Sequence, residues 1–517
     1  MIKEIDLSIP PNFIKNYEFI KKQAAKKLKL NFNEINSVVI LKKSIDSRKK
    51  PIFRLRINVF INESPSQKEF DFNFKPVNSK KKVVIVGSGP AGLFAALRAI
   101  ELGIKPILLE RGKNVRDRRF DLKEIMQEGN VNSDSNYCFG EGGAGTYSDG
   151  KLYTRSNKRG NVKRILDILI YHGANEEIKI DAHPHIGSNK LPKIIQAIRE
   201  TILKCNGEIH FGKKVTDFII NNNKISGVVV NDNDEIIGDA VILATGHSAR
   251  DIYDIFKNRD LAIEAKQFAM GVRIEHPQAL IDSIQYKSKV RHENLPASSY
   301  NLNCQVDDKG VYSFCMCPGG MIIPASTDTD ELVLNGMSVS KRDSAFANSG
   351  LVVEVNQNDW KHLKDHGKFA GLMFQKEMEK LAFDSGGGKL IAPAQRITDF
   401  VYKRSSKTLP DSSYVPGTIS APLHELLPKD ISRRLRKSLQ IFNKRMKGYL
   451  SDEAQILAIE SRTSSPLRIP RDKETLMHVQ IEGLFPSGEG AGYAGGIVSA
   501  AIDGERCAEQ VRKLLLN

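Results

Sequence analysis

The stretch from Lys82 to Arg111, KVVIVGSGPAGLFAALRAIELGIKPILLER, constrains the fold of this chain more than any other part of the sequence. It begins with a β-branched apolar run, residues 83–86, typical of a strand that is buried on both faces. The glycines that follow fit G-x-G-x-x-G: a tight turn, a close backbone approach to a pyrophosphate, and a helix packed against the strand. The stretch therefore predicts a strand, turn, helix and second strand that bind a dinucleotide.

The second strand of this unit ends at Glu110, 23 positions after Gly87. A carboxylate there can accept hydrogen bonds from both hydroxyls of an adenosine ribose, and it would repel the 2′-phosphate of NADP. Pro90 suits a first helical turn, whose free N–H groups and positive dipole face phosphate. The alternative interpretation is a glycine-rich structural turn without a ligand.

A second glycine-rich stretch, residues 137–152 (YCFGEGGAGTYSDGKL), follows this unit. Its five glycines allow backbone N–H groups to line up against a flat or anionic ligand. The Thr, Ser, Asp and Lys side chains add polar contacts. Because it follows the nucleotide motif closely, we interpret it as a cofactor loop, with a surface loop as the alternative.

Two further segments bring backbone towards a ligand. The run 209–243 is predicted to form a β-meander that ends at Ala244-Thr245-Gly246. Near the C-terminus, the glycine cluster 483–497 leads into a helix and carries Glu489 in its turn. Such an acid can hold a polyol hydroxyl while the helix N-terminus faces an electron-rich ring.

Together these segments resemble the glutathione-reductase-like FAD-binding fold. In that fold the nucleotide motif binds ADP, the Ala-Thr-Gly strand passes beside the cofactor, and a C-terminal Gly-Asp turn holds the ribityl chain and the flavin. Glu489 stands where Asp is usual, which keeps the carboxylate but changes its reach. More narrowly, nearly the whole chain is similar to a bacterial family of uncharacterised FAD-dependent dehydrogenases, through the stretches 140–152, 183–192, 314–326, 392–400 and 460–472.

The motifs and the resemblance imply a non-covalently bound FAD, because no His or Cys lies in a recognisable flavin-attachment context. The predicted cofactor-binding residues are Gly87, Ser88, Gly89, Pro90, Ala91, Gly92, Glu110, Arg111, Gly143, Ala144, Gly145, Thr146, Ser148, Val215, Ala244, Thr245, Gly246, Gly488, Glu489, Gly496 and Ile497.

The implied fold class is α/β, a discontinuous glutathione-reductase-like Rossmann domain with two additions. A small α+β domain precedes it, and an α+β substrate domain is inserted into it. The predicted boundaries are 1–77 for the N-terminal domain, 78–262 and 463–517 for the two FAD-binding segments, and 263–462 for the substrate domain.

The implied activity is that of an FAD-dependent oxidoreductase, or dehydrogenase. It would move hydride or electrons between FAD and a small-molecule substrate, with an electron donor or acceptor that the sequence does not identify. No second nucleotide motif for NAD(P)H is evident. The alternatives are a flavoprotein that acts on or binds RNA, and a non-catalytic flavin-binding module that recognises a partner protein.

The candidates for catalysis are His185, Cys315 and Cys317. Cys315-Met316-Cys317 could form a redox disulfide, or its sulfurs could pack on one face of a strand. His183 and His185 could contact substrate or pack, and no third ligand has metal-site spacing, so no metal is predicted. Cys138 is a further candidate for a thiol near the flavin.

Four charged residues lie just before the returning FAD segment: Glu460, Arg462, Arg468 and Arg471. They could bind an anionic substrate, or they could join the domains through ion pairs. The sequence leaves both interpretations open.

Composition bounds the remaining choices. The formal net charge of +16 comes from scattered lysines, and only 429–447 concentrates basic residues on a predicted helix, so RNA is kept as an alternative partner. Six cysteines in 517 residues do not form a disulfide framework, and we find neither a membrane span nor a secretory signal. A cytoplasmic location is therefore expected.

Overall fold

The computed structural model describes residues 1–65, 70–154 and 160–516. Its strands are β1 Ile2–Ile9, β2 Ile35–Asp46, β3 Ile52–Ile61, β4 Lys82–Val86, β5 Lys105–Glu110, β6 Glu208–Phe211, β7 Val215–Asn221, β8 Lys224–Val230, β9 Asp234–Ile237, β10 Ala240–Leu243, β11 Glu264–Ala265, β12 Phe268–Pro277, β13 Asn303–Val306, β14 Lys309–Cys317, β15 Met321–Pro324, β16 Leu334–Met337, β17 Phe346–Val355, β18 Ala392–Arg396, β19 Thr418–Ser420, β20 Gln455–Glu460, β21 Leu467–Arg468 and β22 Leu484–Pro486.

The helices are α1 Tyr17–Leu28, α2 Pro90–Glu101, α3 Val115–Gln127, α4 Val162–Tyr171, α5 Leu191–Lys204, α6 Arg250–Asn258, α7 Gln278–Tyr286, α8 Ala370–Ser385, α9 Ile397–Tyr402, α10 Leu423–Leu426, α11 Lys429–Arg445 and α12 Ile497–Leu516. Short 3-10 segments lie at Pro11–Phe13, Phe32–Glu34, Gly143–Gly145, Glu176–Lys179 and Lys361–Phe369.

A parallel sheet with the strand order β22-β10-β4-β5-β6 holds the nucleotide motif. Residues 83–86 of β4 are buried, as expected for a strand covered on both faces. Helix α2 packs on this sheet and on α12, and Gly504 of α12 lies so close that a Cβ there would be 2.0 Å from the carbonyl oxygen of Ala91. The sheet is thus a mixed α/β unit of the Rossmann type, completed by a strand from the far end of the chain.

The predicted meander is wrong in its last strand. Residues 234–237 form β9, which pairs with β8 in the antiparallel sheet β7-β8-β9. Residues 240–243 instead form β10 in the parallel sheet, between β4 and β22. The chain changes sheet at Asp239, whose carboxylate accepts the backbone N–H of Lys82 at 2.8 Å and so fixes β10 beside β4.

A second large sheet has the order β13-β14-β17-β12-β20-β18-β19 and is antiparallel except for the β18–β19 pair. Its buried face packs with α8, α9 and α11 into the largest apolar core, which includes Leu351, Phe374 and Phe442. The carboxyl-terminal parts of β14 and β20 bring residues 313–317 and 460 towards the parallel sheet.

The N-terminal residues form the antiparallel sheet β1-β3-β2, with α1 packed against it. Its core continues into the rest of the protein through Tyr286 and Leu295. Lys43 also exchanges backbone hydrogen bonds with Ile180 and Ala182. Among the described helices, none is long and apolar enough to cross a membrane.

Candidate functional site

The glycine turn between β4 and α2 opens onto a large cavity. Gly87 has a φ of 101°, which favours glycine, and its N–H donates to the carbonyl oxygen of Leu109 at 2.7 Å. Helix α2 begins at Pro90, so the N-terminal amide groups of the helix face the cavity beside Gly89. This arrangement suits a pyrophosphate, since the helix end offers N–H donors and a positive dipole.

Glu110 lines the cavity, but protein donors already hold both of its oxygens. One oxygen accepts the backbone N–H and the hydroxyl of Ser88 at 3.0 and 2.6 Å. The other accepts the backbone N–H groups of Gly112 and Gly140 at 2.9 and 3.0 Å. Glu110 therefore ties the nucleotide turn to the second glycine loop, and its contact with a ribose stays a prediction.

Arg118 holds the second glycine loop. The guanidinium is fully buried and donates to the carbonyl oxygens of Asn136, Glu141 and Gly143 at 2.8 to 3.0 Å. The 3-10 segment Gly143–Gly145 is thereby pressed against the first turn, where a Cβ on Gly89 would lie 3.9 Å from the Cα of Gly143. The two glycine segments thus form adjoining walls without intervening side chains.

The C-terminal glycine cluster forms a third wall. Gly488 donates its N–H to Asp503 at 2.8 Å, and the chain then passes the cavity at Glu489 and enters α12 at Ile497. Burial raises the pKa of Glu489 to about 7. Burial and the nearby Arg462 lower the pKa of His247, whose Nε2 lies 3.9 Å from the Glu489 carboxylate, to about 3. At neutral pH the pair therefore joins a neutral imidazole to a carboxyl group that titrates.

A cluster of charged groups and sulfurs lies at the end of the cavity formed by the antiparallel sheet. Lys151 Nζ is 3.6 Å from the Sγ atoms of both Cys315 and Cys317. Arg273 donates to the carbonyl oxygen of Cys315 at 2.9 Å and to the carboxylate of Glu460 at 3.0 Å. Burial raises the pKa of Glu460 to about 7, although Arg273 works in the opposite direction.

The same end of the cavity is braced by a buried carboxylate, Asp149. Its oxygens lie 3.6 Å from Lys151 Nζ and 3.0 Å from Arg342 Nε, and it also accepts the hydroxyl of Ser338. Although burial opposes the effect, Lys151 and Arg342 lower the pKa of Asp149 to about 2. Asp149 therefore remains ionised and holds the Lys151 ammonium in place.

Two of the four charged residues before the returning segment are used in ion pairs. Arg462 binds Glu331 and Glu379 at 2.5 and 3.0 Å, while Arg471 binds Asp503 at 2.6 Å. Arg250, which the sequence analysis missed, completes the Arg462 cluster through Glu379 at 2.8 Å. Both arginines form ion pairs, but Arg462 pairs within 263–462 and Arg471 within 463–517, so these pairs do not join the predicted domains. Arg250 of the first FAD-binding segment does so through Glu379.

The other two differ in their surroundings. Glu460 pairs with Arg273 and also lines the cavity. The guanidinium of Arg468 lies 5.7 Å from the centre of the Tyr493 ring. Only Glu460 and Arg462 of the four border the cavity, so any contact with a substrate from this group falls to them.

The two histidines of the His-Pro-His stretch have different surroundings. His183 borders the cavity, with its ring centre 5.4 Å from that of Tyr153. His185 lies behind it, with Nε2 3.2 Å from the carbonyl oxygen of Ser340, and burial lowers its pKa. His185 therefore fits a packing role better than a catalytic one. Among the described residues, no cluster of His, Cys, Asp and Glu could hold a metal ion.

Most of the predicted cofactor-binding residues border one cavity of about 1070 Å³. They are Gly87, Gly89, Pro90, Ala91, Glu110, Arg111, Gly143, Ala144, Gly145, Ser148, Val215, Ala244, Thr245, Gly246, Glu489, Gly496 and Ile497. The remaining four lie behind these walls and support them: Ser88, Gly92, Thr146 and Gly488. Cys138 and Cys315 also border the cavity.

The cavity fits FAD in its chemistry. Its volume is at the upper end of ordinary cofactor sites, as an elongated dinucleotide needs. At Gly495 and Gly496 no atom lies within 4 Å of where a Cβ would stand, so backbone faces open space beside the start of α12. Sequence reasoning missed Arg273, Arg342 and His247; a lone arginine within the apolar run of β12 was the available signal for the first, since a buried charge needs a partner.

Three models of protein families match the chain. The model "FAD-dependent protein, C-terminal domain-like" covers residues 267–463, "FAD binding domain" covers 82–118, and a domain of unknown function covers 1–60. These matches identify FAD as the cofactor, since the nucleotide motif lies within residues 82–118.

Two relatives show how far the similarity extends. An uncharacterised protein of Clostridium beijerinckii is 39% identical over 99% of this chain and 98% of its own length. A thiamine thiazole synthase of Methanococcus vannielii is 26% identical over 35% of this chain and 62% of its own. The first similarity spans the complete arrangement described above, and the second is confined to a part of it.

Solved structures overlap with this fold only loosely. CtdE in complex with FAD is 13% identical, with 84% of this chain and 87% of that chain covered and a TM-score of 0.34. A geranylgeranyl bacteriochlorophyll reductase-like protein of Thermoplasma acidophilum is 12% identical, with 84% and 79% covered and a TM-score of 0.34. Likenesses of this size say nothing about the reaction.

Proposed function

This chain belongs to a family of FAD-dependent proteins, together with the Clostridium beijerinckii relative, and we propose that it is a dehydrogenase. It moves hydride or electrons between non-covalently bound FAD and a small-molecule substrate. One observation carries the proposal: the cavity bordered by the glycine segments continues to a cluster of buried ionisable groups from another sheet. The end bordered by the glycine segments suits a dinucleotide, and the end with the ionisable groups suits a chemical reaction.

The proposed FAD-binding domain is discontinuous and glutathione-reductase-like. Its support is the pairing of β10 with β4 and with β22, which joins the segments 78–262 and 463–517 in one sheet. The region 263–462 would be the substrate domain, because it supplies Cys315 and Glu460 to the far end of the cavity. The ADP half would lie along the Gly87–Pro90 turn and the ribityl chain beside Glu489.

FAD supplies the redox step, and the protein positions the reactants and handles protons. Glu460 and Glu489 border the cavity, and burial raises the pKa of each to about 7. A carboxyl group with such a pKa exchanges a proton readily near neutral pH. Lys151 stays cationic, because the neighbouring sulfurs and Asp149 raise its pKa although burial opposes this. An anionic group of a substrate would be attracted to this end.

The RNA-binding alternative gains no support from helix α11. Arg433 and Lys437 both pair with Asp307 at 3.1 Å, and Arg434 pairs with Asp359 at 2.5 Å. Three of its seven basic residues therefore bind carboxylates of the same protein, which leaves fewer of them for phosphate.

The experiment is purification followed by anaerobic reduction. The protein should carry an oxidised-flavin spectrum, and its flavin, once reduced, should be reoxidised by at least one acceptor in a metabolite panel. A colourless protein that FAD cannot reconstitute would contradict the cofactor assignment. A reduced flavin that no acceptor reoxidises would contradict the dehydrogenase and favour the non-catalytic module.

A further inference from the structure

The strand that carries the cysteine pair is distorted at the pair itself. The register between β14 and β17 shifts between Phe314 and Cys317, which marks a β-bulge. Cys315 lies in the bulge with a φ of 47°, a backbone conformation that residues other than glycine rarely adopt. Such conformations persist where the surrounding structure enforces them, and they are concentrated at functional sites.

The bulge directs both sulfurs to one ammonium group. Lys151 Nζ lies 3.6 Å from Cys315 Sγ and 3.6 Å from Cys317 Sγ. Cys317 Sγ donates to the carbonyl oxygen of Cys315 at 3.3 Å and lies 3.7 Å from the guanidinium of Arg273. Two thiols thus share two cations at the wall of the cavity.

This surrounding makes the two thiols unequal. The neighbouring Cys317 thiol, together with Lys151 and Arg273, lowers the pKa of Cys315 well below its ordinary value, although burial opposes this. The neighbouring Cys315 and burial raise the pKa of Cys317. Cys315, which borders the cavity, is therefore the more acidic thiol of the two, and the fully buried Cys317 holds its proton more firmly.

The surroundings of the other cysteines differ: Arg471 Nη1 lies 3.6 Å from Cys507 Sγ, but burial outweighs the effect of this cation on the pKa of Cys507. Burial raises the pKa of Cys205, Cys304 and Cys507. Cys138 donates its S–H to the carbonyl oxygen of Ala325 at 3.5 Å. The pair that shares Lys151 and Arg273 thus lies at the cavity that holds the predicted FAD-binding residues, and an electrostatic interaction with Cys315 reaches Glu489 in the C-terminal glycine turn.

We propose that Cys315 and Cys317 form a redox-active dithiol that exchanges an electron pair with FAD, which deepens the proposed function and rests on it. In the oxidising direction Cys315 reacts as the thiolate, a bond forms between the two sulfurs, and the S–H bond of Cys317 breaks. The electron pair passes to oxidised FAD, and the proton released by Cys317 is taken up with it. A disulfide across so short a loop is strained, and strained disulfides are the readily reduced ones that serve catalysis.

The experiment is an anaerobic dithionite titration of the FAD-loaded protein after treatment with the thiol oxidant diamide. The wild type should take up two electron pairs per FAD, one for the flavin and one for the disulfide, whereas Cys317→Ser should take up a single pair. Halfway through, the wild type should show a long-wavelength thiolate-to-flavin absorption band that Cys315→Ser lacks. Cys304→Ser is the matched control and should behave as the wild type, because Cys304 is buried in β13 away from the cavity.

A second readout needs no variant. After oxidation, denaturation and alkylation, the tryptic peptide 310–341 should carry no alkyl group. Its mass should be two hydrogens below that of the same peptide with two free thiols. A wild type that takes up one electron pair, with both sulfurs alkylated, overturns the dithiol and leaves the proposed function standing. A protein that forms the disulfide but binds no FAD also overturns the electron exchange, because in that case the proposed function itself has failed.

Discussion

Gly89 and Gly92 are three residues apart in the same motif, yet a Cβ would meet different surroundings at each. At Gly92 it would lie 1.9 Å from the carbonyl oxygen of Gly87, so Ala there collides with backbone. At Gly89 the nearest atom is the Cα of Gly143, at 3.9 Å, an ordinary contact. Gly92 therefore allows the helix to pack closely on the turn, and Gly89 leaves the wall of the cavity free of side chains.

We predict that Gly89→Leu folds but loses FAD, because a long side chain enters the space between the two glycine turns. Gly89→Ala should fold and bind FAD more weakly. Gly92→Ala should lower the free energy of unfolding by about 3 kcal/mol through overpacking. The measurements are the ratio of flavin to protein absorbance and urea unfolding followed by circular dichroism. Retention of FAD by Gly89→Leu would show that the turn does not approach the cofactor.

Glu489 gives a prediction about pH. Burial raises its pKa to about 7, so the folded protein holds a proton between about pH 4.5 and 7 that the unfolded chain releases. Its contribution to stability is therefore present at low pH and is lost as the pH rises through 7. In the FAD-free protein, Glu489→Gln should gain about 1–2 kcal/mol relative to the wild type between pH 5 and 8, an estimate reduced for partial exposure of the side chain.

The measurement for Glu489 is urea unfolding across that pH range. Glu474→Gln is the control, since Glu474 is exposed, and its difference from the wild type should not change with pH. A constant difference for Glu489→Gln as well would mean that the carboxyl group titrates as in water.

At the scale of residues, the sequence predicted what lies close together along the chain. The glycines and Glu110 belong to a single unit, so their spacing carries the prediction. The contact between Lys151 and Cys315 joins residues 164 positions apart, and no local pattern encodes it. Both residues were noticed, the lysine as a polar contact of the glycine loop, but only the fold brings them to one place.

Helix α11 shows at the scale of elements how a basic segment can serve packing. Arg434 is 2% exposed, and its guanidinium pairs with the buried carboxylate of Asp359 and donates to the carbonyl oxygen of Glu354. Arg433, on the same helix, pairs with Asp307 at the surface. The two adjacent arginines therefore differ in burial and not in sequence context.

We predict that Arg434→Ala lowers the free energy of unfolding by about 3–5 kcal/mol, because it leaves a buried carboxylate and carbonyl without this partner. Arg433→Ala should change it by less than about 1 kcal/mol. Urea unfolding of both variants measures the difference. Equal effects would show that α11 is held by its apolar face alone.

Element types were predicted where the pattern was local and regular, as for β4, α2 and β5. The run 236–243 was misread because its apolar residues suit either sheet. The change of sheet depends on partners far along the chain, Lys82 for Asp239 and β22 for β10. Pairing between distant strands therefore decides which sheet these residues join, because their propensity favours neither sheet.

At the scale of the whole molecule, the cavity joins two sheets. Ala244 directly follows β10 of the parallel sheet, and Ser313 belongs to β14 in the antiparallel sheet. A ligand bound there stabilises both sheets, because it binds only when both walls are formed.

We therefore predict that FAD slows amide hydrogen exchange in residues 244–248 and also in 313–317, while the N-terminal sheet β1-β3-β2 serves as the internal control and stays unchanged. At about a hundred times the dissociation constant, FAD should add about 2.7 kcal/mol of stability. Hydrogen exchange followed by mass spectrometry tests this. Protection confined to the parallel sheet would place the ligand away from Cys315.

The position of β22 has a consequence for synthesis. β22 pairs with β10 at the edge of the parallel sheet. That sheet is therefore completed only after the ribosome has made every strand of the antiparallel sheet. The third wall of the cavity, from Glu489 to Ile497, leaves the ribosome later still. Capture of FAD is thus a late event in the life of each new chain, and nascent chains that stop before β22 should emerge without flavin.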